Sequence, residues 1–349
     1  MLYSNNVIKN IGKNLRKDVK SKPDIEILTK WRAEHIYPMG TFVRTLRMKV
    51  SYSPKTKIGN VIVAQRLKRL PTILDKLNRQ PTMDLSKMQD IAGVRTIFPK
   101  IEDVIKFVDI YKNQTKLKHE RVDNDKYDYI KTPKNDGYRG VHLVYKYQNP
   151  ESTKYPDHDR YNGTLVEIQF RSKLQHYWAT SIETADLASK SGLKYGKGAK
   201  EWKTYFKLLS SMIALMEECD TINEHKNKSF EDLRNEFIAL DNTKHLTATL
   251  NRFSSAINTS FDHPKFIKYV VLSIDPINDK VSVMGFENPD NANEYYDKLE
   301  AQESVNNTVL VSAGKLTQLK QAYPNYFADI SNFIELIDNI KNHRQIDSI

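Results

Sequence analysis

The chain has 349 residues, one cysteine and a formal net charge of +11. That length allows two compact domains, or one large domain with an appendage, and 39% hydrophobic with 28% charged residues is the balance of a globular chain, not a disordered or fibrous one. No apolar run approaches the roughly 18 residues of a membrane span, the N-terminal stretch has no export-signal core, and Cys219 alone makes neither an internal disulfide nor a cysteine-rich zinc site, so a cytoplasmic protein without structural metal is expected.

Residues 5–35 read as helical, with a start signal at Lys22-Pro23-Asp24. Residues 60–79 read as a further helix punctuated by Pro71, which would put Arg66 and Arg69 on one face with Lys68 beside it. Residues 1–80 hold 18 Lys and Arg against 5 Asp and Glu, a net of +13 that points to a polyanionic partner. The bland alternative is a solvated lysine-rich helical surface. Gln89 to Pro99 is a short apolar run closed by proline, hence a buried strand. Helical spacing follows over 101–114, a turn-rich segment over 127–138, and alternation over 139–148 and 164–171. From 173 to about 258 the pattern is helical, with Leu208, Leu209, Met212, Leu215 and Met216 as a core stripe. The composition changes near His263-Pro264. Beyond it, two strand-like runs, a helix near 291–301, the strand NTVLVSAG and a helix from about 314 suggest a small ββαβα unit. This last quarter carries 8 basic and 13 acidic residues, a net of −5, and charge complementarity alone would draw it toward the basic end.

The strand Val166 to Arg171 places Glu167, Gln169 and Arg171 on the face opposite Val166, Ile168 and Phe170. An ordinary amphipathic strand gives the same pattern. The neighbours sharpen it: Asp90 precedes a buried strand that itself contains Arg95, and a charge inside an apolar strand needs an anionic partner. Asp90 and Glu167 together offer hard oxygen ligands for Mg²⁺, which favours carboxylates plus substrate phosphates. Arg66, Lys68 and Arg69 form a cluster suited to a polyphosphate. The turn from Tyr129 to Arg139 combines lysines, an arginine and flanking tyrosines, a means of stacking a base and neutralising phosphates. No GxxxxGK[ST] and no GxGxxG motif is present.

These segments, RLK at 66–68 with ILDKLNR at 73–79, MQDIAGVR at 88–95, YDYIKTPKNDGYRGVH at 127–142 and TLVEIQFRSKLQHYWATSIET at 164–184, resemble the RelA/SpoT-type nucleotide pyrophosphokinase family, over about residues 35 to 220. No HD pair precedes them, so the likeness is to a short, single-function synthetase. The resemblance implies an α/β (α+β) fold with a mixed five-stranded central sheet flanked by helices. It also implies transfer of the β,γ-pyrophosphate of ATP to a ribose 3′-hydroxyl. By the same resemblance Asp90 and Glu167 hold Mg²⁺, Glu167 helps activate the hydroxyl, and Arg66, Lys68, Arg69 and Arg95 grip the ATP phosphates. Tyr138 stacks on the acceptor base, and Lys131, Arg139, His142, Gln169 and Arg171 line the acceptor pocket. His176 matches a family histidine and equally suits a structural role. Asp136 and Gly140, where many relatives carry Ser, depart from the pattern and put acceptor identity in question.

LQHYWATSIET is similar to the corresponding segment of toxic small members that act on tRNA, and the C-terminal unit resembles that of CapRel fused toxin–antitoxin proteins. That likeness implies a synthetase (toxin) domain over 1–225, a helical linker over 226–260, and a metal-free, pseudo-zinc-finger-like regulatory domain over 261–349. It implies that tRNA is the acceptor, at its 3′-terminal adenosine, and that the regulatory domain restrains the enzyme and senses a phage capsid protein. Tyr323 and Tyr326, a YxxY pair, would fill the adenine slot in the restrained state; a helix-packing aromatic cluster gives the same spacing. A conventional alarmone synthetase using GDP or GTP, and a non-catalytic RNA-binding module, are the rival readings.

Overall fold

The structure is a computed structural model, and it describes residues 2–17, 21–52, 60–113, 118–189, 199–256, 258–262, 269–275, 280–300, 307–312 and 330–344. Tyr323 and Tyr326 lie outside the described residues. Three helices open the chain, α1 (Asn5–Lys17), α2 (Lys22–Ala33) and α3 (Ile36–Tyr52). Pro23 falls in the first turn of α2, where a missing N–H costs nothing. Then come β1 (Ile62–Leu67), α4 (Leu70–Arg79), β2 (Ala92–Phe98), α5 (Ile101–Lys112), β3 (Glu120–Arg121), β4 (Val141–Lys146) and β5 (Leu165–Ser172).

Residues 60–79 are thus a strand followed by a helix, not one helix. Val61 to Ala64 are apolar and largely β-branched, and β1 pairs antiparallel with β2. Pro71 stands in the first turn of α4 and starts that helix. Arg66 therefore lies on a strand and Arg69 at the helix N-cap, so they share no helix face.

The five strands form one mixed sheet in the order β1-β2-β5-β4-β3, with β2 and β5 parallel and the other pairs antiparallel. One face is apolar: Val94, Ile168, Phe170 and Leu143 are fully buried in a core shared with Phe98, Phe107 and Tyr111. The other face carries the polar side chains of β2, β4 and β5.

Helices α6 (Lys173–Ser189), α7 (Lys200–Met216), α8 (Phe230–Lys244) and α9 (Leu246–Ala256) follow. Ser229 and Asp232 cap α8 reciprocally in a capping box. Leu208, Leu209 and Met212 are fully buried, and Leu215 and Met216 pack against them. The segment expected as a linker, 226–260, contributes Leu233, Phe237, Leu246 and Leu250 to this second core.

A four-stranded sheet follows, built from β6 (Asn258–Asp262), β7 (Tyr269–Asp275), β8 (Lys280–Phe286) and β9 (Asn307–Ser312) in the order β6-β8-β7-β9, with α10 (Pro289–Glu300) packed on it. Strand β6 straddles the expected boundary between residues 260 and 261 and pairs parallel with β8. The last described helix, α11 (Ser331–Lys341), packs not on this sheet but in the second core, where Phe333 stacks on Phe206 with ring centroids 6.2 Å apart. Arg234 Nε donates to the Ile340 carbonyl at 2.8 Å, and Lys341 pairs with Asp241 at 2.6 Å. The small sheet meets the basic first quarter of the chain: β9 runs within 8 Å, Cα to Cα, of β1, and Arg32 Nη2 donates to the Tyr296 hydroxyl at 2.8 Å. Among the described residues no helix is long and apolar enough to cross a membrane.

Candidate active site

Strand register assembles the polar face. Gly93 pairs with Arg66 on one side and Glu167 on the other, and Gln169 pairs with both Arg95 and His142. Side chains paired across strands point the same way, so Arg66, Arg95, His142, Glu167, Gln169 and Arg171 share one face. Gly93 leaves a gap between Arg66 and Glu167; a Cβ there would sit 3.3 Å from the Arg66 carbonyl oxygen. A cleft of about 780 Å³ covers this face, and Asp90 and Glu167 both line it.

Asp90 sits in the turn before β2, where its carboxylate meets Lys68 Nζ at 2.7 Å and Lys76 Nζ at 3.0 Å. Burial pushes the carboxyl pKa up, but the two ammonium groups more than offset this and hold it well below the ordinary range. Lys68 is brought there by the backbone bond from its N–H to the Ile91 carbonyl, 2.8 Å.

Glu167, His142, Tyr138, Arg171 and Gln169 form a closed hydrogen-bonded ring. His142 Nδ1 lies 2.9 Å from Glu167 Oε1, and its Nε2 lies 2.6 Å from the Tyr138 hydroxyl. Arg171 Nη2 donates to that hydroxyl at 2.6 Å and to Gln169 Oε1 at 3.1 Å, and Gln169 Nε2 returns to Glu167 Oε2 at 2.7 Å. Burial disfavours the charged imidazole, yet the Tyr138 and Glu167 oxygens prevail and raise its pKa to about 9. Burial likewise pushes the Glu167 carboxyl up, and His142 outweighs it, so Glu167 stays below its ordinary value. For Tyr138, burial is outweighed by Arg171 and His142, and the phenol falls to about 8.

Tyr138 reaches the cleft on a loop that only glycine permits. Gly137 has φ +96°, and a Cβ there would meet Ser210 Cβ at 2.9 Å and Trp178 at 3.1 Å. Ser210 Oγ donates to the Gly137 carbonyl at 2.5 Å, tying the loop to α7. Gly140 has φ +140° with the Phe170 carbonyl 3.1 Å from a would-be Cβ, which accounts for glycine at this departure from the family pattern.

Of the residues singled out from sequence, Arg66, Lys68, Asp90, Arg95, Tyr138, His142, Glu167, Gln169 and Arg171 line this cleft. Three do not. Arg69 caps α4. Arg139 is buried and turned away, its guanidinium donating to the Asp220 carbonyl. Lys131 is exposed and lines a neighbouring cavity. His176 is buried on α6. Lys76, Arg79 and Lys87, and on α6 Trp178, Ile182 and Glu183, also line the cleft and were not among the residues singled out from sequence. Helical spacing offered a signal: Lys76 and Arg79 fall at i and i+3 on α4.

Among the described residues no group of three or more His, Cys, Asp or Glu side chains gathers to hold a metal. Two hard carboxylates lining one cleft, Asp90 and Glu167, do fit Mg²⁺ that takes its remaining ligands from substrate phosphates and water.

Residues 65–193 match the family described as a region found in RelA / SpoT proteins. The chain is 34% identical over 122 residues to the GTP pyrophosphokinase YjbM of Bacillus subtilis (strain 168), covering 34% of this chain and 52% of that protein. It is 32% identical over 120 residues to the GTP pyrophosphokinase YwaC of the same organism, covering 33% and 52%. The match thus spans about half the length of these curated relatives. Among solved structures, small alarmone synthetase 1 from Bacillus subtilis bound to its product pppGpp is 25% identical, with 55% of this chain and 94% of that chain covered and a TM-score of 0.43. A GTP pyrophosphokinase family protein from Streptococcus pneumoniae is 23% identical, with 54% and 88% covered and a TM-score of 0.42. The matched residues, 65–193, include β2, β4, β5 and both carboxylates of the cleft.

Proposed function

We propose that this cleft transfers the β,γ-pyrophosphate of ATP to the 3′-hydroxyl of the terminal adenosine of tRNA. The hydroxyl oxygen bonds to the β-phosphorus, the bond from that phosphorus to the α–β bridging oxygen breaks, AMP leaves, and the hydroxyl proton passes to Glu167. The observation that carries the reading is that Asp90 and Glu167 line one cleft with Arg66, Lys68, Lys76 and Arg95 on one side and Tyr138 on the other. Little covalent chemistry is required of the protein; positioning and charge neutralisation suffice. Arg66, Lys68, Lys76 and Arg95 take the donor phosphates. Tyr138 offers its ring to the acceptor base. Asp90 and Glu167 are the residues that would hold Mg²⁺, which when bound supplies charge neutralisation at the phosphates.

Polynucleotide is favoured as acceptor by the net +13 of residues 1–80, far more than a free nucleotide needs. Such a transfer would block aminoacylation and so translation. The likeness to fused toxin–antitoxin proteins extends the proposal to restraint by the C-terminal unit, with Tyr323 and Tyr326 in the acceptor slot, and release by a phage capsid protein. Supporting restraint, β9 lies along β1, the strand that bears Arg66. The second reading, an alarmone synthetase acting on GDP or GTP, is favoured by the named activity of the 34% and 32% identical relatives. Purified protein carrying Tyr323→Ala and Tyr326→Ala, which lifts the proposed restraint, incubated with γ-labelled ATP and either bulk tRNA or GDP and GTP separates the two: label on tRNA supports the first, and label confined to guanosine nucleotides supports the second.

A further inference from the structure

The loop that carries Tyr129 and Tyr138 has a second side. There lies a separate cavity of about 610 Å³, within the range of about 300–1,000 Å³ typical of ligand sites. Lys126 and Tyr129 line both this cavity and the main cleft, so the two spaces adjoin across them. The carboxylates of the second cavity are engaged. Asp125 is held by Lys112 at 2.6 Å and Arg121 at 3.2 Å. Asp128 Oδ1 accepts the backbone N–H groups of Ile130 and Lys131, both at 3.2 Å, and Asp109 accepts from Asn113 Nδ2 at 3.0 Å. Lys126 and Lys131, both exposed, have no carboxylate partner among the described residues.

The aromatics adjoin: Tyr127 and Tyr129 have ring centroids 6.3 Å apart with the rings tilted by 43°, Tyr129 and Tyr138 meet edge to face at 5.7 Å and 74°, and Lys134 Nζ lies 4.3 Å over the Tyr129 ring. Burial pushes the Tyr129 phenol up to about 12, so its ring stays neutral. A row of aromatic faces flanked by ammonium groups is the general means of holding single-stranded nucleic acid, with bases on the rings and phosphates on the cations. One nucleotide at Tyr138 would leave the second cavity and its two ammonium groups without a role.

We propose that the second cavity seats the nucleotide preceding the acceptor terminus of a single-stranded polynucleotide, with Lys126 and Lys131 on its phosphates and Tyr129 as the divider between adjacent bases. This rests on the reading of the main cleft as an acceptor site for a polynucleotide end. A free mononucleotide needs only the main cleft. The proposal therefore assigns Lys131 to discrimination by acceptor length rather than to the terminal nucleotide.

The test is made in the full chain carrying Tyr323→Ala and Tyr326→Ala, which leaves the acceptor slot open under the proposed restraint, and compares Lys131→Glu with that parent chain. Binding of a labelled short oligoribonucleotide ending in adenosine, and of adenosine 5′-monophosphate, is measured across a salt series. The variant is expected to lower the slope of log affinity against log salt for the oligonucleotide by about 1, the signature of one lost phosphate contact. Its ratio of oligonucleotide to mononucleotide affinity is expected to fall about tenfold at low salt, and Lys131→Arg is expected to restore both. An unchanged slope, or an equal loss for both ligands, would overturn the subsite while leaving the acceptor reading intact. If the parent chain binds guanosine nucleotides and no oligonucleotide, the acceptor reading fails, and the subsite fails with it.

Discussion

His142 Nδ1 lies 2.9 Å from Glu167 Oε1, on neighbouring strands whose register sets His142 opposite Gln169. Through its other nitrogen, 2.6 Å from the Tyr138 hydroxyl, one imidazole links the carboxylate proposed to receive the acceptor proton to the ring proposed to hold the acceptor base. Any change at either end is felt at the other.

The charge on His142 makes stability depend on pH. Its folded pKa of about 9 lies above the ordinary 6.5, so its contribution is fully present below 6.5 and is lost as pH rises through 9. Urea unfolding of the wild type is expected to weaken across that window relative to His142→Asn. Parallel curves for the two proteins would contradict an imidazolium held by Glu167 and Tyr138.

Tyr138→Phe keeps the aromatic face and removes the oxygen that most raises the His142 pKa. The imidazole is expected to titrate well below 9 in that variant, as read by NMR of the ring protons. Acceptor KM is expected to change less than in Tyr138→Ala, which removes the stacking surface as well.

Asp90→Asn leaves Lys68 and Lys76 facing each other with no anion between them. Breaking such a half-buried pair costs on the order of 2 kcal/mol, measurable as a lower Tm. Pyrophosphate transfer is expected to fall by at least about a hundredfold, since the same change removes a proposed Mg²⁺ ligand. Wild-type transfer rates in this variant would remove Asp90 from the proposed machinery.

Gly137→Ala is expected to destabilise by about 1–3 kcal/mol, because φ of +96° disfavours a Cβ and Ser210 stands 2.9 Å away. The displaced loop carries Tyr138, so acceptor KM is expected to rise. Ser210→Gly in the same chain relieves the contact but not the backbone strain, and should recover part of the loss.

Phe333→Ala tests whether α11 belongs to the helical core. Phe333 is buried and stacked on Phe206, so truncation is expected to cost about 3 kcal/mol. Because α11 also packs on α6, whose Trp178 and Ile182 wall the cleft, transfer activity is expected to fall at temperatures where the wild type is still folded. An unchanged Tm would place α11 outside the core.

The polar face of the central sheet was legible because period-two strands display it directly: Val166 to Arg171 separate Glu167, Gln169 and Arg171 from the apolar positions by alternation alone. The strand β1 was not. Its short apolar run leads straight into the amphipathic α4, and a basic RLKR segment between them reads at helical spacing. The place of α11 was hidden for a different reason. Its apolar face announces burial, but only tertiary contacts from Arg234 and Asp241 say which core receives it. Lys131 and Arg139 sit within the motif that reaches the cleft, yet the turn points one to a second cavity and the other into the protein. Proximity in sequence to Tyr138 did not foretell side-chain direction across a loop with two positive-φ glycines.

The central claim is that the carboxylates of Asp90 and Glu167 serve one pyrophosphate transfer to a 3′-hydroxyl. Its most direct test is AMP release from ATP, followed together with label transfer to tRNA, by the purified full chain carrying Tyr323→Ala and Tyr326→Ala, which lifts the proposed restraint, and by the same chain with Glu167→Gln added. Stoichiometric AMP and tRNA-linked label are expected from the first, with both reduced by at least about a hundredfold in the second. Equal AMP release by the two proteins, or transfer that persists in Glu167→Gln, would contradict it.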